Sequence, residues 1–274
     1  MDLIRVITRD ELEITTLQRG GSVVDVTNRG KQPWRTLSPF HVWQQDIPIP
    51  GGSDERSCSV EGIWQGLKVI DGVVDKTQFN GRPHKRTGNL EGHLFGTQIL
   101  GLAEAREKIY IPAYTYVLEK LAGGLVTDLV SRSFDGPLYL VDVTRNCDYK
   151  NTREPLSHAG ILRNYLNEKR AALLSDLTKK HNRALMAQGG NGNLYETVDN
   201  MFEWHENLVD LLEQKAFGEV LARLADSTDA HIKKYAIALG IRTDAPQMRG
   251  VIKSLAQSPD FKNLIATETA RKAQ

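Results

Sequence analysis

From about Pro155 onward the chain carries sustained helical spacing and no segment with strand character, which limits what its last third can build. In "PLSHAGILRNYLNEKRAALLSDLTKKHNRALMAQ" apolar residues recur every three or four positions, the period of an amphipathic helix. "GGNGN", residues 189–193, then reads as a linker, since it lacks the strand and helix flanks of a phosphate-binding loop. "LYETVDNMFEWHENLVDLLEQKAFGEVLARLADS" and "DAHIKKYAIALGI" resume the helical pattern, and residues 245–274 read as two short helices with a polar tail.

The front of the chain changes character repeatedly. "DLIRVITRDELEI" and "GGSVVDVTN" read as short strands separated by a Gly-Gly turn. The Pro-, Gly- and aromatic-rich stretch from Arg29 to Ser57 reads as loop, with one short strand from Phe40 to Trp43. "DGVVDKTQFNGRPHKRTGNLEGH" is irregular and long enough to be functional or mobile. "LFGTQILGLAEAREKIY" and "IPAYTYVLEKLAGGLVTDLVSRS" have helical spacing, with Pro112 at a helix start and Gly123-Gly124 as a stop or kink. "GPLYLVDVTR" is the strongest strand, an apolar run opened by Gly-Pro. The expected architecture is α+β over residues 1–170, followed by an all-helical extension over residues 171–274.

Composition removes several classes of function. A formal net charge of +1 over 274 residues argues against a broadly basic nucleic-acid footprint and leaves only local patches. Cys58 and Cys147 lie far apart without CxxC spacing, so neither a disulfide framework nor a zinc site is expected. No apolar run approaches membrane-spanning length, and the N-terminus lacks a continuous apolar core. A cytoplasmic protein without metal or cofactor is the resulting expectation.

"SVEGIWQGLK", residues 59–68, concentrates acid, aromatic, amide and amine in one stretch. In a helix capped by Ser59, Glu61, Trp64, Gln65 and Lys68 would form one polar stripe at i, i+3, i+4 and i+7. Val60, Ile63, Leu67 and Ile70 would form an apolar stripe beside it. A plain amphipathic helix needs neither Gly62 nor Gly66, each costing about 1 kcal/mol against alanine. Their presence predicts a close approach to the backbone, which we read as room for a ligand. The bland alternative is a surface helix with solvated ends and Trp64 in the core.

This helix resembles the E-x-x-x-Q-x-x-K helix of the NADAR (YbiA-like) family. Other pieces of that family follow in order over roughly residues 22 to 170. "VTNRGKQPWRTLSPFHV" resembles its upstream stretch, "AYTYVLEKLAGGLVTDLVSRS" its following helix, "GPLYLVDVTRNCDYKN" its acid-bearing strand and "PLSHAGILRNYL" its closing helix. The family's "WG" after its aspartate is absent here, and the spacing from Asp142 to Asp148 is one residue longer. The resemblance implies a NADAR-like domain in front and an N-glycosidase acting on an ADP-ribosylated base or a ribosylated, nucleotide-like compound, free or on nucleic acid.

Residue chemistry runs parallel to that implication. Cleaving an N-glycosidic bond takes an acid for the leaving nitrogen and a nucleophile or stabiliser for a cationic C1′. Glu61 and Lys68 are the first two candidates, the lysine as an amine able to form a Schiff base once partly desolvated. Asp142, at the end of the apolar strand, is the second carboxylate, and Asp148, in a turn, competes for that place or binds substrate. Gln65 would bond the sugar, and Trp64, Trp43 or Phe40 would stack on a base. Asn28, Arg29 and Arg35, with Lys31, would hold phosphate from "NRGKQPWR"; a solvated basic loop is the plain alternative. Arg82, His84, Lys85 and Arg86 contact phosphates or are simply exposed, and His158 reads as a satisfied core histidine. The rear helices offer a surface for homo-oligomerisation. Two rival functions stand beside the glycosidase: a non-catalytic binder of ADP-ribose or nucleotide, and a nucleic-acid-binding module built on the basic loops.

Overall fold

The structure, a computed structural model, describes residues 3–12, 20–44, 47–52, 54–189, 193–208 and 210–273. It divides into two compact units, Met1–Glu168 and Lys169–Gln274. The linker expected at "GGNGN" falls mostly on residues 190–192, outside the described residues.

The first unit mixes strand and helix. It contains β1 (Ile4–Thr8), β2 (Ser22–Asp25), β3 (Ile47–Pro48), β4 (Arg56–Ser57), α1 (Val60–Gly66), β5 (Lys68–Ile70), β6 (Leu90–Phe95) and β7 (Gln98–Leu100). A continuous helix α2 (102–121), then α3 (Gly123–Asp135), β8 (Leu138–Asp142) and the start of α4 (His158–Gly189) complete it. β8 lies between β1 and β2 and runs parallel to both. Every residue of β8 is buried. A strand in the middle of a parallel sheet meets core on both faces and reads as an unbroken apolar run, which is why "LYLV" stands out in the sequence. β5, β6 and β7 form a separate antiparallel sheet, and β3 pairs with β4.

Five local expectations are corrected. The helix begun at Ser59 stops at Gly66, and Lys68–Ile70 pairs with β6 as strand instead of extending the stripe. No strand forms at Phe40–Trp43; the nearest strand is Ile47–Pro48. "LFGTQIL" is a hairpin turning at Gly96 (φ +60°), not the front of a helix. Pro112 lies inside α2 rather than at its start, one residue after the wide π-turn Arg106–Tyr110. The break between α2 and α3 falls at Ala122, and Gly123-Gly124, expected as a stop or kink, opens α3.

The glycine reading also reverses. A Cβ on Gly62 would sit 2.6 Å from the Gln78 carbonyl oxygen, and one on Gly66 would sit 2.2 Å from the Phe79 ring. The close approach comes from the 3-10 turn Lys76–Phe79, part of the protein itself. Those glycines dock α1 into the fold and leave no room for a ligand.

The second unit is helical. After the rest of α4 come α5 (Leu194–Glu206), α6 (Leu211–Ala225), α7 (Ala230–Arg242), α8 (Arg249–Leu255) and α9 (Pro259–Lys272). α7 is buried without interruption from Tyr235 to Ile241, and α5, α6 and α9 all pack against it. Asn193, Asp210 and Asp229 cap their helices by accepting backbone N–H bonds in the first turn. Among the described residues no helix is long and apolar enough to cross a membrane.

Candidate active site

A cavity of about 420 Å³ opens in the first unit, within the roughly 300–1,000 Å³ of small-molecule sites. Its wall is assembled from distant parts of the chain. Thr27 and Asn28 follow β2, and Ser38, Pro39 and Phe40 follow a 3-10 turn. α1 supplies Glu61, Trp64 and Gln65; β5 and β6 supply Lys68, Leu90 and His93; α2 supplies Leu102, Arg106 and Tyr110. Lys85, Asp142 to Thr144, Pro155, Leu156 and His158 close it.

α1 enters the wall in a fixed pose. The Ser59 hydroxyl accepts the Gly62 N–H at 3.0 Å, and the Glu61 N–H donates to the Pro39 carbonyl at 2.9 Å. Both Glu61 and Gln65 are buried, and the Gln65 amide donates to the Glu61 carboxylate at 2.6 Å. Gln65 in turn accepts the Arg86 N–H at 3.1 Å. Arg86 is thus a structural clamp, its guanidinium donating to the carbonyls of Gln65, Lys68 and Val73. Burial raises the Glu61 carboxyl above its ordinary value, outweighing the Gln65 bond and the charges of Lys68, Lys85 and His158. Burial lowers the half-buried Lys68 amine, with Glu61 pulling upward and Arg86 and Lys85 pushing further down.

The second acid is a different object. One Asp142 oxygen accepts from the Ser157 hydroxyl at 2.6 Å, the Ala159 N–H at 3.1 Å and His158 Nδ1 at 3.0 Å. The other accepts the Val143 N–H at 2.7 Å. His158 Nε2 faces the Val26 carbonyl at 3.0 Å. Both nitrogens of that ring face acceptors, an arrangement that favours the doubly protonated ring. Burial alone would raise the Asp142 carboxyl, but the His158 charge and these hydrogen bonds hold it below its ordinary value. Burial alone would lower His158, but Asp142, the Val26 carbonyl and Glu61 raise it. Asp142 is therefore a fixed anion at the first turn of α4, saturated with donors and unsuited to moving protons.

The loop after β8 is tied down by polar side chains. The Arg106 guanidinium donates to the carbonyls of Tyr149, Asn151 and Glu154, and the Asn146 amide donates to those of Asn151 and Glu154. This strap sets the loop whose later residues, Pro155 and Leu156, line the cavity.

The cavity thus gathers Asn28, Phe40, Glu61, Trp64, Gln65, Lys68 and Asp142 from the sequence-predicted set. The remaining four lie outside its wall. Arg29 and Arg35 are exposed, so the phosphate clamp expected there faces solvent. Asp148 bonds its own turn through the Lys150 N–H at 2.9 Å, which leaves Asp142 as the cavity's second acid. Trp43 packs edge-on to His41 and lines a separate depression with Val42 and Lys120. His158, read as a core histidine, is satisfied and buried yet lines the cavity.

Sequence reasoning missed Arg106, Tyr110 and His93. Arg106 and Tyr110 sit four residues apart on one helix, and that spacing was the available signal. His93 lay in a stretch read as irregular, so no pattern pointed to it. Lys85 belongs to the basic segment already noted, though nothing in its composition says which of its cations turns inward. Among the described residues no group of three or more His, Cys, Asp or Glu side chains could hold a metal ion.

Residues 8–162, a span that contains every cavity residue, match the model of a family described as "Family of unknown function (DUF6939)". No curated protein and no solved structure matches the chain.

Proposed function

The chain belongs to the DUF6939 family of unknown function, and we propose that its cavity hydrolyses the N-glycosidic bond of an ADP-ribosylated base or a ribosylated, nucleotide-like compound. One observation carries this reading: two buried carboxylates line one cavity and are pushed in opposite directions, Glu61 upward and Asp142 downward. Divergent environments of this kind separate a proton donor from a standing anion. The NADAR-like order of motifs in the sequence supports the same reading.

In this mechanism Lys68 Nζ attacks C1′ and the C1′–N bond breaks. Its electron pair leaves with the base nitrogen, which takes the Glu61 proton. The new secondary ammonium gives a proton to the Glu61 carboxylate, and the lone pair so freed forms C1′=N as the C1′–O4′ bond opens and O4′ takes that proton from Glu61. Water hydrolyses the imine, which frees Lys68 and leaves the sugar aldehyde to close again. Asp142 never changes protonation; its fixed charge stabilises the cationic carbon. Lys85 at the cavity wall suits an anionic part of the substrate.

The saturation of Asp142 favours one rival, a binder of the same compounds that performs no chemistry. A single experiment separates the two. Guanine-ADP-ribosylated DNA and free ribosyl phosphates are incubated with the protein and the products weighed by mass spectrometry, with and without borohydride. Base release, a reduced sugar adduct on Lys68, inactivity of Lys68→Ala and a roughly hundredfold or greater loss in Glu61→Gln are the expected results. Near-normal turnover by folded Lys68→Ala rules out the imine. No release from any of these substrates leaves the binder.

A further inference from the structure

His93 is the least explained residue of the cavity wall. It is fully buried, and neither ring nitrogen has a partner. A buried polar atom without a partner is rare in folded proteins and calls for a cause. The ring is covered by Trp64, with centroids 3.9 Å apart and planes tilted by 31°. Trp64 is itself only half-buried, stands edge-on to Tyr110 at 5.3 Å and faces the cavity. His93 also pairs with Lys68 across the β5–β6 ladder. Directly opposed residues send their side chains to the same face of a sheet.

We propose that His93 reads an uncharged hydrogen-bonding group of the ligand, and that Trp64 is the movable cover over it. Both nitrogens are screened from solvent in the present arrangement, and the Trp64 indole, which borders both the ring and the cavity, is the side chain whose movement would let a ligand atom reach them. Burial, aided by the Lys68 charge, lowers the imidazole to about 3, so the ring stays neutral at any working pH. A neutral imidazole offers one donor and one acceptor. A hydroxyl can meet either role, as donor to the bare nitrogen or acceptor from the N–H, whereas an ionised phosphate or carboxylate can only accept. His93 therefore selects a hydroxyl-bearing, uncharged part of the substrate, and any anionic part is left to Lys85 at the wall. The inference rests on the glycosidase reading only for the identity of that hydroxyl as one on the sugar.

The experiment uses the full chain, with adenosine as the uncharged probe and inorganic phosphate as the anionic one. Affinities are measured for wild type, His93→Phe and His93→Asn, with Trp64 fluorescence read as the difference from Trp64→Phe. Adenosine is expected to change the Trp64 signal and to bind His93→Phe at least about tenfold more weakly, the weight of one hydrogen bond that leaves its partner unmet. His93→Asn, which keeps a donor and an acceptor, restores part of the loss, and phosphate affinity is the same in all three. Equal adenosine affinity in wild type and folded His93→Phe overturns the proposal, as does the absence of any adenosine binding or Trp64 response in wild type. Adenosine binding that depends on His93 without any base release sinks the glycosidase reading alone. Base release with equal kcat/KM in wild type and His93→Phe sinks only this inference.

Discussion

Each unit buries a carboxylate against a histidine, and the two histidines are pushed in opposite directions. In the first unit Asp142 meets His158 at 3.0 Å; in the second, Glu213 meets His181 at 3.1 Å. The His158 ring has a second acceptor, the Val26 carbonyl, and its proton affinity rises. The other nitrogen of His181 has no partner, and the ring packs against Trp204 and Phe217. Burial pushes His181 down to about 4, and the neighbouring charges of Lys180 and His205 add to this against the pull of Glu213. Lys180 bonds Glu213 at 2.7 Å and neutralises the carboxylate in the histidine's place. A carboxylate beside a histidine does not by itself make an ion pair. What meets the ring's far nitrogen, and what else meets the carboxylate, decide whether the imidazole holds a second proton.

The largest test breaks the first pair. Asp142→Asn leaves a buried imidazolium facing an amide and removes the anion at the first turn of α4, so about 3–5 kcal/mol of stability should disappear. Urea unfolding followed by circular dichroism measures this. A change under about 1 kcal/mol would mean that His158 is neutral in the folded protein.

Titration should pull the two units apart. His181 titrates lower folded than unfolded, so its contribution is complete above about pH 6.5 and is lost as pH falls from there toward about 4. His158 titrates higher folded than unfolded, so its contribution is complete below about 6.5 and is lost as pH rises through its raised value. For the buried His181 the acid-side loss is on the order of 3 kcal/mol. Hydrogen exchange resolved by peptide should show helices α4 to α6 of the second unit losing protection toward pH 4. The segment from Asp142 to Tyr165 should lose protection only above neutrality. Parallel loss of protection in both at pH 4.5 would erase the distinction.

A smaller effect converts one pair into the other. Lys180→Met removes the competing cation, so His181 should take up its proton at a pH higher by about one unit, read from its imidazole resonances. An unmoved resonance would show that Lys180 does not help to set the value. The smallest effect belongs to charges that neither pair contains. Arg29→Ala with Arg35→Ala should change stability by no more than about 0.5 kcal/mol and turnover by less than about twofold, because both side chains are solvated. A marked rise in KM would put the phosphate clamp back at that loop.

The parts legible in the sequence are those whose burial is uniform. β8 is buried along its whole length and reads as an apolar run; a rear helix such as α5, which buries Thr197, Val198 and Met201, shows one side to the core and reads by its period. The end of α1 was hidden because Leu67 and Ile70 keep helical spacing while their backbone pairs with β6, and long-range pairing wins over a local pattern. "LFGTQIL" was hidden likewise, since its few apolar positions satisfy both periods. At the site, Glu61, Gln65, Lys68 and Asp142 were found through residue type and order, although Lys68 reaches the cavity from a strand. Arg29 and Arg35 show the opposite case: charge density says nothing about where a loop faces. His93 could not be found by composition, because its meaning comes from a tryptophan laid over it.

The two wide turns of α2, Arg106–Tyr110 and Val117–Leu121, impose a rule of inheritance on this fold. Each holds one residue more than regular pitch requires. Five residues of such a turn wind about as far as four at regular pitch, so deleting one from the first would restore ordinary winding and leave everything beyond it facing as before. Arg106 could then still hold the loop after β8 while Tyr114 keeps the Leu37 carbonyl, which it reaches at 2.7 Å. Between those two residues the wide turn is the place where the helix can lose a residue and keep both contacts, whereas a loss from the regular winding after it would turn them apart by about 100°.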